Sequence, residues 1–147
     1  MKNKLQIRPL EPSDFPDWLP LWDGNNMGQR DQALTTETWA RLTDKNYPVH
    51  GLGAFQDGKL CGLLHYILHP TTGAIEPVCY MQDVYVDPDA RGNGIAKTMI
   101  RELAQIGREK KWARMYWIAQ SDNESAQKLY NNFGQKLDFT LHVLPLS

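Results

Sequence analysis

Along the chain, apolar and polar positions alternate, run together, and then switch to a helical period, which marks out a succession of strands and helices. Leu5, Ile7 and Leu10 alternate into a short first strand, and Pro12-Ser13-Asp14 offers a capping residue for a helix. Pro16 and Pro20 interrupt that helix, whose single apolar stripe is Trp18, Leu19, Leu21 and Trp22. Asp23 to Leu34, with Gly24, Asn25, Asn26 and Gly28, reads as an irregular loop. Thr36 to Asp44 predicts a second helix carrying Trp39 and Leu42. Two apolar runs follow, His50 to Gln56 and Lys59 to His69, and the Asp57-Gly58 between them is a strong hairpin signal.

After a turn-rich loop from Pro70 to Pro77, a third run from Val78 to Val86 ends at Asp87-Pro88. The period then changes: Ile95, Met99, Ile100, Leu103 and Ile106 recur at helical spacing and predict an amphipathic helix from Gly94 to Lys110. Trp112 to Ala119 is expected as a strand, and coming after a strand and a helix it should lie parallel to Val78 to Val86. Asn123 to Phe133 predicts a shorter helix and Phe139 to Leu144 a closing strand. The expected architecture is α/β: a mixed sheet with helices on both faces. No repeat or linker divides it, so residues 1–147 are expected as one domain.

Composition narrows the function classes. With 16 basic and 17 acidic residues the net charge is −1, which argues against a protein that grips nucleic acid through phosphates. The balance hides an asymmetry. Glu11 to Asp44 carries a net −5, and Asp89 to Arg114 a net +4. The chain could hold an anion at one end and a cation at the other, or simply present two solvated faces of opposite sign. Met1 to Pro9 lacks the apolar core of a secretory signal, and no run reaches membrane-span length. Cys61 and Cys79 are too few for a disulfide scaffold, so a reducing, cytoplasmic setting is expected. His65 and His69 sit four apart without the Glu of a zinc helix, and read as ordinary strand residues with no metal.

The densest chemistry lies in Val84 to Lys97. A strand leads into Arg91-Gly92-Asn93-Gly94 and then a helix whose first N–H groups have no internal partner. Such a turn suits a phosphate or pyrophosphate, with Arg91 and Lys97 adding charge; the alternative is a plain strand-to-helix connection. Two nucleotide motifs fail on detail. Gly92-Asn93-Gly94 opens like a dinucleotide fingerprint, but Lys97 stands at the third glycine position. Gly53 to Leu60 has the spacing of an ATP phosphate loop, but Leu60 replaces the Ser/Thr that holds magnesium.

The run Asp83-Val84-Tyr85-Val86-Asp87-Pro88-Asp89-Ala90-Arg91-Gly92-Asn93-Gly94-Ile95-Ala96-Lys97 resembles the acetyl-CoA-binding motif of the GNAT superfamily of N-acetyltransferases, Arg/Gln-x-x-Gly-x-Gly/Ala. Trp117 to Asn123, followed by Ala126 and Leu129-Tyr130, resembles a second block of that superfamily. Cys79 to Asp83 and Tyr116-Trp117 look most similar to the polyamine, thialysine, D-amino-acid and histone acetyltransferase branch. The resemblance implies a three-layer fold, with a mostly antiparallel sheet and one parallel pair splayed at the cofactor site. It implies acetyl transfer from acetyl-CoA to a primary amine, with N–H groups of Gly92, Asn93, Gly94, Ile95, Ala96 and Lys97 around the pyrophosphate. Backbone groups of Val84, Tyr85 and Val86 would receive the pantetheine and thioester, and Asn123 would touch the cofactor from the far side.

Tyr130 is then expected as general acid, since its hydroxyl is protonated at neutral pH. Relatives often carry a Glu as base where this chain has Gln82, which cannot accept a proton, so Asp83 is the expected base; a water with no dedicated base is the alternative. Strand alternation leaves open which face Asp83 occupies. Trp22 and Met27, in or beside the acidic segment, together with Gln82, are expected to shape a site for a cationic amine. A non-catalytic acyl-CoA-binding module and a protein acetyltransferase are the competing readings. An edge strand at Phe139 to Leu144 would invite self-pairing into a homodimer.

Overall fold

A computed structural model describes residues 4–147, which fall into two units divided between Trp117 and Ile118. In the first unit a five-stranded sheet runs in the order β1 (Leu5–Pro9), β2 (Val49–Gln56), β3 (Lys59–His69), β4 (Val78–Val86), β5 (Met115–Tyr116). The first four strands are antiparallel and β4–β5 is parallel. Asp57 and Gly58 both take positive φ, 51° and 85°, the geometry that an Asp-Gly hairpin turn needs to match strand twist.

One face of the sheet is covered by α1 (Phe15–Asn25) and α2 (Gln32–Leu42). The expected loop from Asp23 to Leu34 is therefore shorter, and the second helix starts earlier, because the Asp31 carboxylate accepts the Leu34 N–H and caps it. Pro16 sits in the first turn, where its missing N–H costs nothing; Pro20 lies inside the helix, and burial of Trp18, Leu21 and Trp22 offsets it. Trp18 is fully buried, stacked on Trp22 at 5.3 Å and tilted against Trp39 at 4.7 Å, in a core shared with Leu10, Leu42, Phe55, Leu60 and Leu63.

The other face packs on α3 (Ile95–Lys110), which buries Ile95, Met99, Ile100 and Leu103 of the predicted apolar stripe together with Gly107, while Ile106 is only half-buried. A Cβ at Gly62 would lie only 3.1 Å from the Met99 methyl, so glycine there lets α3 sit close to the sheet. Trp112 belongs to the α3 packing rather than to a strand, since a Cβ at Gly107 would meet its ring at 2.7 Å. The predicted strand from Trp112 to Ala119 thus shrinks to Met115–Tyr116.

The second unit holds α4 (Glu124–Tyr130), capped by the Asn123 side chain, which accepts the Ala126 N–H at 3.1 Å. The closing strand expected at Phe139 to Leu144 is not formed: the segment has no regular structure, and Phe139, Leu141, Val143 and Leu144 are exposed. Alternation says which residues could share a face, but a strand also needs an edge to bond to, and none pairs with this segment among the described residues. No helix among the described residues is long and apolar enough to cross a membrane, and no group of three or more His, Cys, Asp or Glu there could hold a metal ion.

Candidate active site

Strand β4 carries the site. Its pairing with β3 is regular from Val86 back to Asp83, then slips: His65 faces Asp83 but Tyr66 faces Met81, so Gln82 is an extra residue with no partner. This bulge decides the face that alternation left open. Cys79 and Met81 are buried in the sheet, whereas Asp83 meets α1: its Oδ1 accepts from Asn25 Nδ2 at 3.2 Å, and its Oδ2 lies 3.0 Å from His65 Nδ1. Gln82 is left exposed. Toward β5, pairing stops at Tyr80 with Tyr116, while β4 runs on to Val86 with no further strand along that edge among the described residues. Among the described residues the outer backbone groups of Val84 to Val86 thus have no strand partner, and of these the Val86 carbonyl accepts from Arg91.

At the end of β4 the chain enters the glycine turn. Gly92 and Gly94 have φ of 84° and 73°, and a Cβ built on either would meet nothing within 4 Å, so the backbone lies open to a ligand from that side. Gly94 is the N-cap of α3 and offers no side-chain cap; the first intrahelical bond is Thr98 N–H to Gly94 O, leaving the N–H groups of Ile95, Ala96 and Lys97 without helical acceptors. Around the turn, side chains bond to the loop itself: Arg91 Nε donates to Val86 O at 3.0 Å, and Asn93 Nδ2 donates to Ala90 O at 3.0 Å. The Arg91 guanidinium also lies over the Tyr85 ring at 5.2 Å. The other end of that ring rests on Gly24 of α1, where a Cβ would overlap the Tyr85 hydroxyl. An open cradle of N–H groups at the positive end of a 16-residue helix, flanked by a fixed arginine, fits a pyrophosphate group.

The acceptor residues expected from the acidic segment are not brought together. Trp22 is buried, its indole N–H donating to Thr35 Oγ1 at 2.9 Å, so it serves the core rather than a ligand. Met27 is 89% exposed, and Asp23 spends its charge on Arg30 at 2.6 Å. Sequence reasoning missed the side chains that do surround Asp83: Asn25, placed in a loop, and His65, read as an ordinary strand residue. It also missed the aromatic wall beside them. Tyr80 stacks on Tyr116 at 5.0 Å and His69 Nε2 lies 2.9 Å from the Tyr116 hydroxyl. Burial, then the Tyr116 and Asp83 charges, push the Tyr80 hydroxyl above its ordinary range. The signal for a side-chain cluster was the switch from apolar to polar positions at Gln82-Asp83 within an otherwise buried strand.

In the second unit, burial raises the Tyr130 hydroxyl above its ordinary value, which keeps its proton in place at neutral pH. The two cysteines are buried and reduced; burial pushes the Cys79 thiol up to about 12 and raises Cys61 as well, so neither is a nucleophile.

Comparison with known proteins places the chain in a family. Residues 7–135 match the acetyltransferase (GNAT) family. The chain is 29% identical over 147 residues to a D-amino-acid N-acetyltransferase of Saccharomyces cerevisiae, covering 97% of this chain and 91% of that one. It is also 29% identical over 103 residues to a thialysine N-epsilon-acetyltransferase of Caenorhabditis elegans, covering 69% and 63%. Among solved structures it is similar to a ribosomal-protein-alanine N-acetyltransferase from Brucella melitensis biovar Abortus 2308, with a TM-score of 0.83 and 25% identity over 97% of this chain and 100% of that one. An aminoglycoside N-acetyltransferase in complex with CoA shares the fold at a TM-score of 0.83 and 19% identity, covering 100% and 98%. The chain therefore belongs to the acetyltransferase (GNAT) family and is an acetyl-CoA-dependent N-acetyltransferase.

Proposed function

We propose that this chain acetylates the primary amine of a small cationic amine or an amino acid, by direct attack of that amine while both substrates are bound. The observation that carries the reading is the Asp83 carboxylate, turned by the Gln82 bulge to the α1 face and held there by two donors, a few residues before the glycine turn. It offers a negative charge to an ammonium group and an oxygen to receive its proton. The aromatic pair Tyr80 and Tyr116 beside it supplies ring surface of the kind that attracts cations. The names of the two relatives point the same way, since an amino acid and thialysine both carry an amine on a small charged molecule.

Bound acetyl-CoA supplies an activated acetyl thioester. The chain's own residues divide the remaining work. The N–H groups of Gly92 to Lys97 bind the pyrophosphate, and Arg91 and Lys97 add charge. The outer backbone of Val84 to Val86 orients the pantetheine and polarises the thioester oxygen. Asn123 uses its Oδ1 to cap α4, so what it offers the cofactor is its Nδ2. Asp83 takes a proton from the attacking amine at a carboxylate oxygen, and Tyr130 Oη holds a proton for the departing thiolate. Gln82, exposed on the bulge, has an amide that can hydrogen-bond the acceptor but not deprotonate it.

Thiol release from acetyl-CoA tests the reading, across a panel of polyamines, amino acids of both hands, lysine analogues, aminoglycosides, neutral amines and basic peptides. Turnover confined to cationic amines or amino acids is the expected result, with Tyr130→Phe reducing turnover about ten- to ten-thousand-fold at unchanged cofactor affinity. Tight CoA binding without turnover on any amine would mean a binding module, and equal rates on neutral and cationic amines would remove the cation preference.

A further inference from the structure

We propose that His65 is the positioning residue for Asp83, fixed in one tautomer by Trp18 so that it always presents a donor to the carboxylate. The inference rests on the reading of Asp83 as the group that receives the amine's proton. His65 is 3% exposed, in the middle of β3, with the Trp18 and Trp22 rings 6.0 and 5.7 Å from its own. A buried imidazole among aromatic rings is costly unless both nitrogens are bonded. Both are. Trp18 Nε1 lies 3.1 Å from His65 Nε2, and an indole nitrogen can only donate, so Nε2 must be the bare, accepting nitrogen. The proton of the neutral ring therefore sits on Nδ1, which donates to Asp83 Oδ2 at 3.0 Å.

The consequence lies at Asp83. Each carboxylate oxygen receives one donor, His65 on Oδ2 and Asn25 on Oδ1. An ionised carboxylate has about four lone-pair sites, so each oxygen keeps one open. With His65 buried and the Asp83 side chain 23% exposed, the donors hold the group from the protein side and the open sites belong to its accessible edge. His65 already carries its Nδ1 proton and spends its Nε2 lone pair on Trp18. It is no relay: a proton taken up by Asp83 leaves by that same accessible edge. The arrangement draws on α1 at two points, on β3, and on the bulge in β4 that brings Asp83 to face His65, and each part is needed to fix one carboxylate rotamer.

Two substitutions separate this role from packing. An Asn amide nitrogen stands where Nδ1 stood and can still donate to Asp83, whereas a Gln amide reaches the Nε2 position and can serve Trp18 but not Asp83. We expect His65→Gln to lose roughly a hundredfold in kcat, the scale of a misplaced reacting group, and His65→Asn to stay within about tenfold of the parent. Cofactor affinity should not separate the two variants, and His65→Asn, which leaves the buried Trp18 N–H without its acceptor, should melt below His65→Gln, so that the order in kcat runs opposite to the order in stability. If Asp83→Asn abolishes turnover while His65→Gln and His65→Asn are equally active or equally impaired, the positioning role is wrong and the Asp83 reading stands. If Asp83→Asn retains full turnover, the Asp83 reading itself fails, and the role of His65 with it. Imidazole nitrogen–proton correlation spectra of the unsubstituted protein give a test free of folding losses: a neutral His65 with its proton on Nδ1 is expected, and an Nε2–H tautomer or an imidazolium at neutral pH would overturn the proposal.

Discussion

The two ends of the exposed stretch of β4 are built on opposite plans. At Asp83 the work falls to side chains, drawn from α1 and β3 and locked by hydrogen bonds from Trp18 to His65 to Asp83 and from Asn25 to Asp83. At the glycine turn the work falls to the backbone: two positive-φ glycines clear a surface, and the charged and amide side chains nearby bond back to the loop. On the proposed function, the difference follows from what each end would recognise. A pyrophosphate is met by a row of N–H groups that any sequence with the right φ angles can present. Taking a proton from one amine needs one oxygen in one orientation, and that takes several side chains to enforce.

Gly94→Val is the largest single challenge to this contrast. A β-branched residue at φ 73° pays about 1–2 kcal/mol of backbone strain, and its side chain would occupy the space in which a Cβ now meets nothing. The expected result is a loss of CoA affinity of tenfold or more by calorimetry, with amine KM at saturating acetyl-CoA unchanged. Equal damage to cofactor and amine binding would mean the two ends are not separable.

The same contrast explains what could be read in advance. The glycine turn was legible because its requirements are local: Arg91 to Ala96 are consecutive, and glycine is the residue that tolerates the φ they need. The hairpin at Asp57-Gly58 and the stripe on α3 were legible for the same reason. The Asp83 network was not, since its hydrogen bonds join residues 47, 18 and 58 positions apart. Nor was the bulge that aims Asp83, because Gln82 leaves the ladder only in the register of β3 against β4. Trp22 shows the converse error: an aromatic beside acidic residues suggested a cation site, but its place on the buried stripe of α1 gave it to the core.

Trp18→Phe probes the side-chain end alone. It keeps most of the ring packing against Trp22 and Trp39 but leaves the buried Nε2 of His65 without its donor. An unsatisfied buried acceptor costs about 1–3 kcal/mol, which denaturant unfolding will resolve. His65 is then free to move its proton to Nε2, so turnover should fall with it, while CoA affinity stays at the parent value. A drop in stability with no change in kcat would detach the Trp18 bond from the chemistry.

The smallest effect is expected where α1 begins, away from both ends of the site. Arg8 holds Asp14 with two hydrogen bonds, at 2.9 and 3.0 Å, and the Glu11 N–H adds a third at 2.7 Å. The Arg8 hydrogen bond holds the Asp14 carboxyl below its ordinary value of 3.8, against the opposing effect of burial. A carboxyl whose folded value is depressed stabilises the fold above its unfolded value and loses that contribution as the pH falls through the folded one. Asp14→Asn should therefore cost about 1 kcal/mol at pH 7, and the gap between parent and variant should close below about pH 4. Because the anchor lies at the start of α1 and Asn25 at its last turn, kcat and CoA affinity at neutral pH should not change. A fall in kcat without loss of stability would show instead that the placement of α1 at its first turn is transmitted to Asp83, and that the side-chain end of the site extends the full length of that helix.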